Sequence, residues 1–144
     1  TGTGLTGQYF NDAGPSAHFT TLVRTRIDPT VNFNWSGSAV PGGQSDYFSV
    51  RWTGQVRAVE GGSYRFVTTS NDGVRLWVNG QLVLDNWTDH ATTTNTSPAL
   101  ALTAGVRYDI QLEFYDRVGV AQVQLAWIRP GQPLRLIPSA QLYP

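Results

Sequence analysis

Two short segments place oxygen-bearing groups at the ends of predicted strands. They are residues 70–73 (SNDG) and residues 116–119 (DRVG). Calcium binds six to eight oxygen atoms, mostly from carboxylates and carbonyls. Asn71 and Asp72 could supply two of these oxygens, and Asp116 a third if both segments lie at one end of the fold. On local sequence alone, an ordinary tight turn is the simpler interpretation of each segment.

A tryptophan in a polar loop offers a second kind of chemistry. Trp87 lies within residues 85–90 (DNWTDH), among aspartate, asparagine and threonine. Its ring could stack on the apolar face of a sugar, or it could fold back and cover the core. The sequence favours neither alternative. Trp35, beside the glycine- and serine-rich residues 36–46, is a weaker candidate of the same kind.

Residues suited to catalysis are few. The two histidines, His18 and His90, lack the spacing of a motif such as His-Glu-x-x-His, and no Gly-x-Ser-x-Gly turn is present. The two glutamates are Glu60 and Glu113, and Glu113 falls on the polar side of a predicted strand, where carboxylates are normally solvated. We therefore predict that the domain is not an enzyme. Glycan hydrolysis by paired carboxylates is only a third alternative.

The elements that position these residues are predicted to be β-strands throughout. Apolar and polar residues alternate most clearly over residues 106–115. Turn formers at 61–62, 79–80 and 104–105 separate the runs. Similar alternation occurs in residues 48–52, 64–68, 74–78 and 121–127. Short strands with such turns predict an all-β fold, an antiparallel β-sandwich or barrel.

Three long stretches lack strand character, namely residues 11–20, 36–46 and 86–98. Loops of this length in a compact domain are often functional. The leucines within residues 134–142 suggest one short closing edge strand. No internal repeat or boundary divides the chain, so residues 1–144 are expected to form a single domain.

The composition limits the classes of partner. All ten basic residues are arginines, they are dispersed, and ten acidic residues balance them to a net charge of zero. Nucleic acids and anionic membranes select clustered positive charge, so we predict neither nucleic-acid binding nor membrane insertion. The absence of cysteine excludes disulfides and cysteine-based zinc sites, and it fits a cytosolic or a bacterial secreted protein.

Several ordered motifs resemble the protective-antigen-type (PA-fourteen) domain, a family that includes yeast flocculin and bacterial adhesin lectin domains. They are GLTGQYF (4–10), FSVRWTG (48–54), GSYRF (62–66), SNDGVRLWVNG (70–80), LVLDNW (82–87), AGVRYDI (104–110), EFY (113–115), LAW (125–127) and LYP (142–144). The resemblance covers essentially the whole chain. It implies a β-sandwich or barrel with a jelly-roll-like course.

The resemblance also implies a metal site. Sugar-binding members hold calcium with two consecutive aspartates joined by a cis peptide bond, and vicinal sugar hydroxyls complete the coordination. By position this pair falls on Asn71 and Asp72, so the bond between them is expected to be cis. Asparagine in the first position still offers an oxygen but removes one negative charge, which lowers the expected calcium affinity.

The second loop of the family site falls on residues 116–119. The resemblance assigns metal-ligating oxygens to Asp116 and Val118, where the carboxylate of Asp116 could restore the missing charge. It assigns sugar contacts to Arg117 and Gly119, beside Asp72. Arg117 could oppose the cation or donate to a sugar hydroxyl. Trp87 is the expected apolar platform for the ring.

The function expected from this resemblance is calcium-dependent carbohydrate binding, lectin-like, by an accessory module of a secreted glycosidase or adhesin. The domain is then excised from a larger protein, extracellular or on the cell surface, monomeric, and partnered by glycans. The alternative is a structural spacer or protein-interaction β-domain without a ligand.

Overall fold

The computed structural model describes residues 1–144, and almost all of its regular structure is antiparallel β-strand. The strands are β1 Leu5–Asn11, β2 Thr21–Asp28, β3 Asn32–Trp35, β4 Phe48–Arg57, β5 Gly62–Asn71, β6 Val74–Val78, β7 Gln81–Asn86, β8 Thr93–Thr96, β9 Leu100–Leu102, β10 Arg107–Asp116, β11 Ala121–Ile128, β12 Arg135–Leu136 and β13 Leu142–Tyr143. One 3-10 turn, Ser139–Gln141, is the only helical segment. No helix has the length and apolar character needed to cross a membrane.

The strands form two sheets that pack face to face. The larger sheet has the order β2-β1-β4-β10-β6-β7, with β13 also paired to β4. The smaller sheet has the order β12-β11-β5-β8, with β3 paired to β11 and β9 to β5. All of the pairings are antiparallel. The predicted all-β sandwich is confirmed.

The core lies between the inner faces of the two sheets. Alternate residues of β4, β6 and β10 meet alternate residues of β5 and β11, as the period-2 pattern predicts. Large aromatic side chains fill much of this space, and Trp52, Trp127, Tyr64, Phe66 and Phe114 are almost completely buried. Burial of so much apolar surface is the main stabilising contribution to the fold.

Both candidate segments connect one sheet to the other. Strand β5 belongs to the smaller sheet and β6 to the larger, so residues 70–73 are not a hairpin turn. Likewise, residues 116–119 lead from β10 in the larger sheet to β11 in the smaller. The interpretation of residues 70–73 as a hairpin turn is therefore wrong, and residues 116–119 form no hairpin either. By contrast, β6 and β7 are joined by a true hairpin at Asn79 and Gly80, both with positive φ.

Two further expectations need correction. The closing edge strand is two separate strands, because β12 pairs with β11 in the smaller sheet whereas β13 pairs with β4 in the larger. Residues 86–98 are not entirely loop, since Thr93–Thr96 forms β8 against β5. Its four residues, TTNT, contain no apolar residue to mark it in the sequence.

Glu113 is buried, although its position on the polar side of β10 predicts solvation. Its side chain projects from the outer face of the larger sheet, between Arg51 on β4 and Arg75 on β6. Each arginine donates from Nε to one oxygen of Glu113, both over 2.7 Å. The two arginine side chains cover the carboxylate, so Glu113 is a structural residue that links three strands.

Candidate functional site

Residues 70–73 and 116–119 lie side by side at one end of the sandwich. The amide of Asp72 donates to the carbonyl oxygen of Tyr115 over 3.2 Å, and the amide of Tyr115 donates to the carbonyl oxygen of Gly73 over 3.0 Å. The Asn71–Asp72 peptide bond is cis, as expected from the resemblance. The structure therefore brings together the two segments that the sequence could only place separately.

The carboxylate of Asp72 joins two loops. Its Oδ2 accepts the backbone N–H of Arg117 over 2.8 Å, and its Oδ1 accepts the backbone N–H of His90 over 3.2 Å. The side chain is nearly buried. Because each carboxylate oxygen can accept more than one bond, these contacts hold Asp72 in place and still leave acceptor capacity for a cation.

Asp116 is a buried carboxyl group without a partner. It is 1% exposed, and neither of its oxygens has a hydrogen-bond donor. Burial above all, together with the negative charges of Asp72 and Asp46, raises the pKa of Asp116 to about 7. None of these three aspartates forms an ion pair with a basic side chain. A buried carboxyl group in such surroundings must carry a proton or face a cation.

Asp46 is a member of this group that sequence reasoning missed. It follows the glycine-rich residues 36–45, and its Oδ1 accepts the backbone N–H of Gly119 over 3.0 Å. Its neighbour Tyr47 donates its backbone N–H to the carbonyl oxygen of Arg117 over 2.9 Å. A third loop thus packs against residues 116–119. The only sequence signal was an aspartate at the end of a loop already suspected of function.

The side-chain amide of Asn71 faces oxygen atoms. It lies 3.0 Å from the carbonyl oxygen of His90 and 3.1 Å from Asp72 Oδ1, and with its nitrogen on that side it donates to both. The reverse orientation brings three oxygens together, which is favourable only when a cation lies among them. Asn71 can therefore serve either state, as a donor without metal or as an oxygen ligand with it.

Arg117, Val118 and Gly119 lie at the surface of the second loop. The guanidinium of Arg117 donates to Asp89 Oδ2 over 2.9 Å, and both side chains are about half exposed. Arg117 therefore pairs with Asp89 and not with Asp46, Asp72 or Asp116. The side chain of Val118 is 53% exposed, so its only contribution to a metal site is its main-chain oxygen.

Trp87 is packed more closely than an open sugar platform requires. The guanidinium carbon of Arg75 lies 3.9 Å from its ring centroid, and Tyr115 meets it edge-on at 4.8 Å. Phe19, from the loop at residues 11–20, stacks nearly parallel to it at 6.0 Å. Trp35 stacks on Phe33 at 4.6 Å and packs against the core. Trp87 is half-buried, and its role as a stacking surface for a sugar ring stays a prediction.

Oxygen is the chemistry that this end of the molecule offers. No three histidine, cysteine, aspartate or glutamate side chains form a preassembled metal cluster. The available donors are the carboxylates of Asp72 and Asp116, the amide of Asn71 and main-chain carbonyls. This set matches the preference of calcium, a hard cation, for oxygen ligands. The protein supplies fewer than the six to eight oxygens that calcium binds, so water or a bound ligand would supply the others.

The raised pKa of Asp116 predicts how stability depends on pH. Its ordinary value is 3.8, against about 7 in the folded protein. Between these values the unfolded chain loses this proton and the folded one keeps it, so the unfolding free energy should fall as pH rises, by on the order of a few kcal/mol. Urea unfolding in EDTA across this range measures the effect. Asp116→Asn should remove that part of the slope, and an unchanged slope would contradict the assignment.

Comparisons with known proteins show the family to which the chain belongs. The sequence matches the PA14 domain family over residues 2–141. It is 41% identical over 146 residues to the anti-sigma-I factor RsgI3 of Acetivibrio thermocellus, covering 100% of this chain and 22% of that protein. The chain therefore spans only a minor part of this curated relative.

Solved structures show the same fold. An anti-sigma factor domain-containing protein superimposes with a TM-score of 0.92 at 39% identity, covering 99% of this chain and 48% of the other. A PA14 sugar-binding domain from an RTX adhesin superimposes with a TM-score of 0.80 at 20% identity, covering 99% of both chains. The second likeness concerns the fold alone. On its sequence match, its ordered motifs and its two-sheet sandwich, the chain belongs to the PA14 domain family.

Proposed function

We propose that this domain binds carbohydrate through a calcium ion at the end of the sandwich formed by residues 70–73 and 116–119. The observation that carries the proposal is Asp116, a buried carboxyl group without a donor, adjacent to Asp72 and without a basic partner. A stable fold rarely leaves such a group unsatisfied. A cation at this position would offset the free-energy cost of burying the Asp116 carboxylate, which would then serve as a metal ligand.

Each nearby residue has a stated role. Asp72 and Asp116 would hold the ion with their carboxylates, and Asn71 with its amide oxygen. Main-chain oxygen near Val118 would add to this set. When bound, calcium supplies positive charge and open coordination positions that vicinal sugar hydroxyls can fill. Asp46 adds negative charge from a third loop and steadies Gly119 through their hydrogen bond.

Arg117 and Asp89 form the polar rim of the site. Their ion pair is half exposed, so either side chain can exchange its partner for a sugar hydroxyl at little cost. A site of this kind makes few contacts with each sugar residue, and we expect weak affinity per site. Binding of a polysaccharide with repeated epitopes would then depend on multivalency.

The parent protein is proposed to be regulatory. The sequence favoured a secreted glycosidase or adhesin, whereas the relative at 41% identity is an anti-sigma factor. In such a protein, an extracellular carbohydrate-binding domain would report a glycan to a transcriptional regulator. The domain itself is proposed to be a binding module, not an enzyme.

Thermal melting with calcium tests the metal, and a glycan array tests the sugar. Calcium at 100 times its dissociation constant should add about 2.7 kcal/mol of stability, which corresponds to a rise in Tm of roughly 5–10 °C. Array binding that depends on residues 70–73 and 116–119 should be present with calcium and lost with EDTA. If calcium leaves Tm unchanged and the array is empty in both conditions, the domain is a spacer or protein-interaction module instead.

A further inference from the structure

A concave surface lies away from residues 70–73 and 116–119, on the outer face of the larger sheet. It encloses about 420 Å³, within the size range of ligand pockets, and its lining includes Thr53, Trp77, Gly80, Asp109 and Gln111. Asp116 lies five positions after Gln111 on β10, which is roughly 17 Å along a strand. The outer-sheet groove, as we name this surface, is therefore separate from the proposed calcium site at residues 70–73 and 116–119, which we name the loop site.

The strand register aligns the side chains of the groove. Gln111 on β10 is paired with Thr53 on β4 at one side and with Trp77 on β6 at the other. These three side chains project outward, opposite to the buried residues Leu76 and Leu112 of the same strands. They form one row across three adjacent strands, about 10 Å long.

Trp77 contributes little to the core. It projects from the outer face of the sheet and is only partly buried there, with the Arg75 guanidinium 5.5 Å from its ring centroid. Gly80, in the following hairpin, has open space where a Cβ would lie. The groove therefore presents part of an indole ring beside unobstructed space. Amphipathic rings in such positions recur where proteins recognise partly apolar ligands.

One positive charge, the Arg75 guanidinium, lies near the ring of Trp77, and the polar side chains that line the groove itself carry none. Asp109 accepts from Gln55 Nε2 over 3.2 Å and forms no ion pair, and Gln111 and Thr53 add an amide and a hydroxyl. No arginine is among the lining residues, and the Asp109 carboxylate disfavours an anionic ligand. An aromatic ring flanked by amide, hydroxyl and carboxylate groups suits a neutral ligand with one apolar face and many hydroxyls.

We propose that the outer-sheet groove is a second, metal-independent binding site for neutral oligosaccharides, with Trp77 as the stacking platform. Asp109, Gln111 and Thr53 bond the hydroxyls of the sugar residues that lie along the row. This site extends the proposed function but does not depend on calcium. Two weak sites on different faces would let one domain engage a polysaccharide at two points.

Titration in EDTA isolates this site, because the loop site then lacks its metal. Cellohexaose, xylohexaose and mannohexaose are added to the ¹⁵N-labelled protein while the five tryptophan indole N–H signals are followed by NMR. The signal of Trp77, assigned with Trp77→Phe, should shift with at least one probe. Trp77→Ala and Gln111→Ala should each weaken that binding by 10-fold or more, with unchanged far-UV circular dichroism.

The loop-site variant Asp72→Ala is the matched control, and it should leave binding in EDTA unchanged. Absence of any shift with all three probes overturns the proposal, as does binding that survives Trp77→Ala. Loss of binding in EDTA with Asp72→Ala also overturns it, because the two sites would not be separate. Failure of calcium-dependent array binding, by contrast, rejects only the loop site.

Discussion

Replacing Asp72 by alanine is expected to abolish calcium-dependent glycan binding, with calcium affinity lower by on the order of 100-fold or more. The change removes a carboxylate that lies beside Asp116 and fixes the backbone of Arg117 and His90. It therefore removes a ligand and loosens the loops that carry the others. Isothermal titration with calcium, followed by the glycan array, measures both losses.

Asp85→Ala is the matched control for this prediction. Asp85 is an exposed carboxylate on β7, so its removal changes the net charge equally but leaves the cluster of aspartates intact. It should bind calcium as the wild type does. If Asp72→Ala also retains wild-type calcium affinity while remaining folded, the loop site does not hold the metal.

Asn71→Asp makes the same hypothesis testable in the opposite direction. If the site holds calcium, a third carboxylate beside Asp72 and Asp116 should raise the affinity, because it restores the charge that the asparagine lacks. If the site holds no cation, the same change adds like charge to a buried cluster and should only lower stability. The two interpretations thus predict opposite changes of Tm in the presence of calcium.

The sequence predicts which residues of each strand face the core, but not which sheet a strand joins. Alternation over residues 106–115 correctly places Ile110, Leu112 and Phe114 inside. Nothing in that pattern indicates that β10 and β11 belong to different sheets. The adjacency of residues 70–73 and 116–119 follows from these crossings between sheets, so it could be inferred only from the family resemblance.

The sequence pattern also does not predict which polar side chains become buried through the register between strands. Glu113 points outward as predicted, yet it is buried because the register places Arg51 and Arg75 directly beside it. Asp46 lies 73 residues from Gly119, with which it makes its hydrogen bond. Contacts over such separations form only when the whole sandwich closes, and no local pattern specifies them.

Asp28→Ala is expected to be the most destabilising single change among those considered, by about 3–5 kcal/mol. The carboxylate is 3% exposed and accepts from Arg26 Nε over 2.7 Å, from Trp52 Nε1 over 2.8 Å and from the Tyr9 hydroxyl. Burial, and secondarily the hydrogen bond to Asp28, raises the pKa of Tyr9 strongly, so this hydroxyl remains a donor at all ordinary pH values.

Three strands meet at Asp28, and its loss leaves buried donors on two of them without an acceptor. Urea unfolding measures the result as a lower midpoint at unchanged m-value. The exposed Asp85→Ala should change stability by no more than about 0.5 kcal/mol. Asp28 pairs with Leu5, at the first end of β1. The other end of β1, Asn11, pairs with Phe48, which also pairs with Asp116. Since Asp28 and Asp116 thus lie at opposite ends of the sheet, Asp28→Ala should leave calcium affinity intact below its Tm. A loss below about 1 kcal/mol would show that this network does not anchor the sheet.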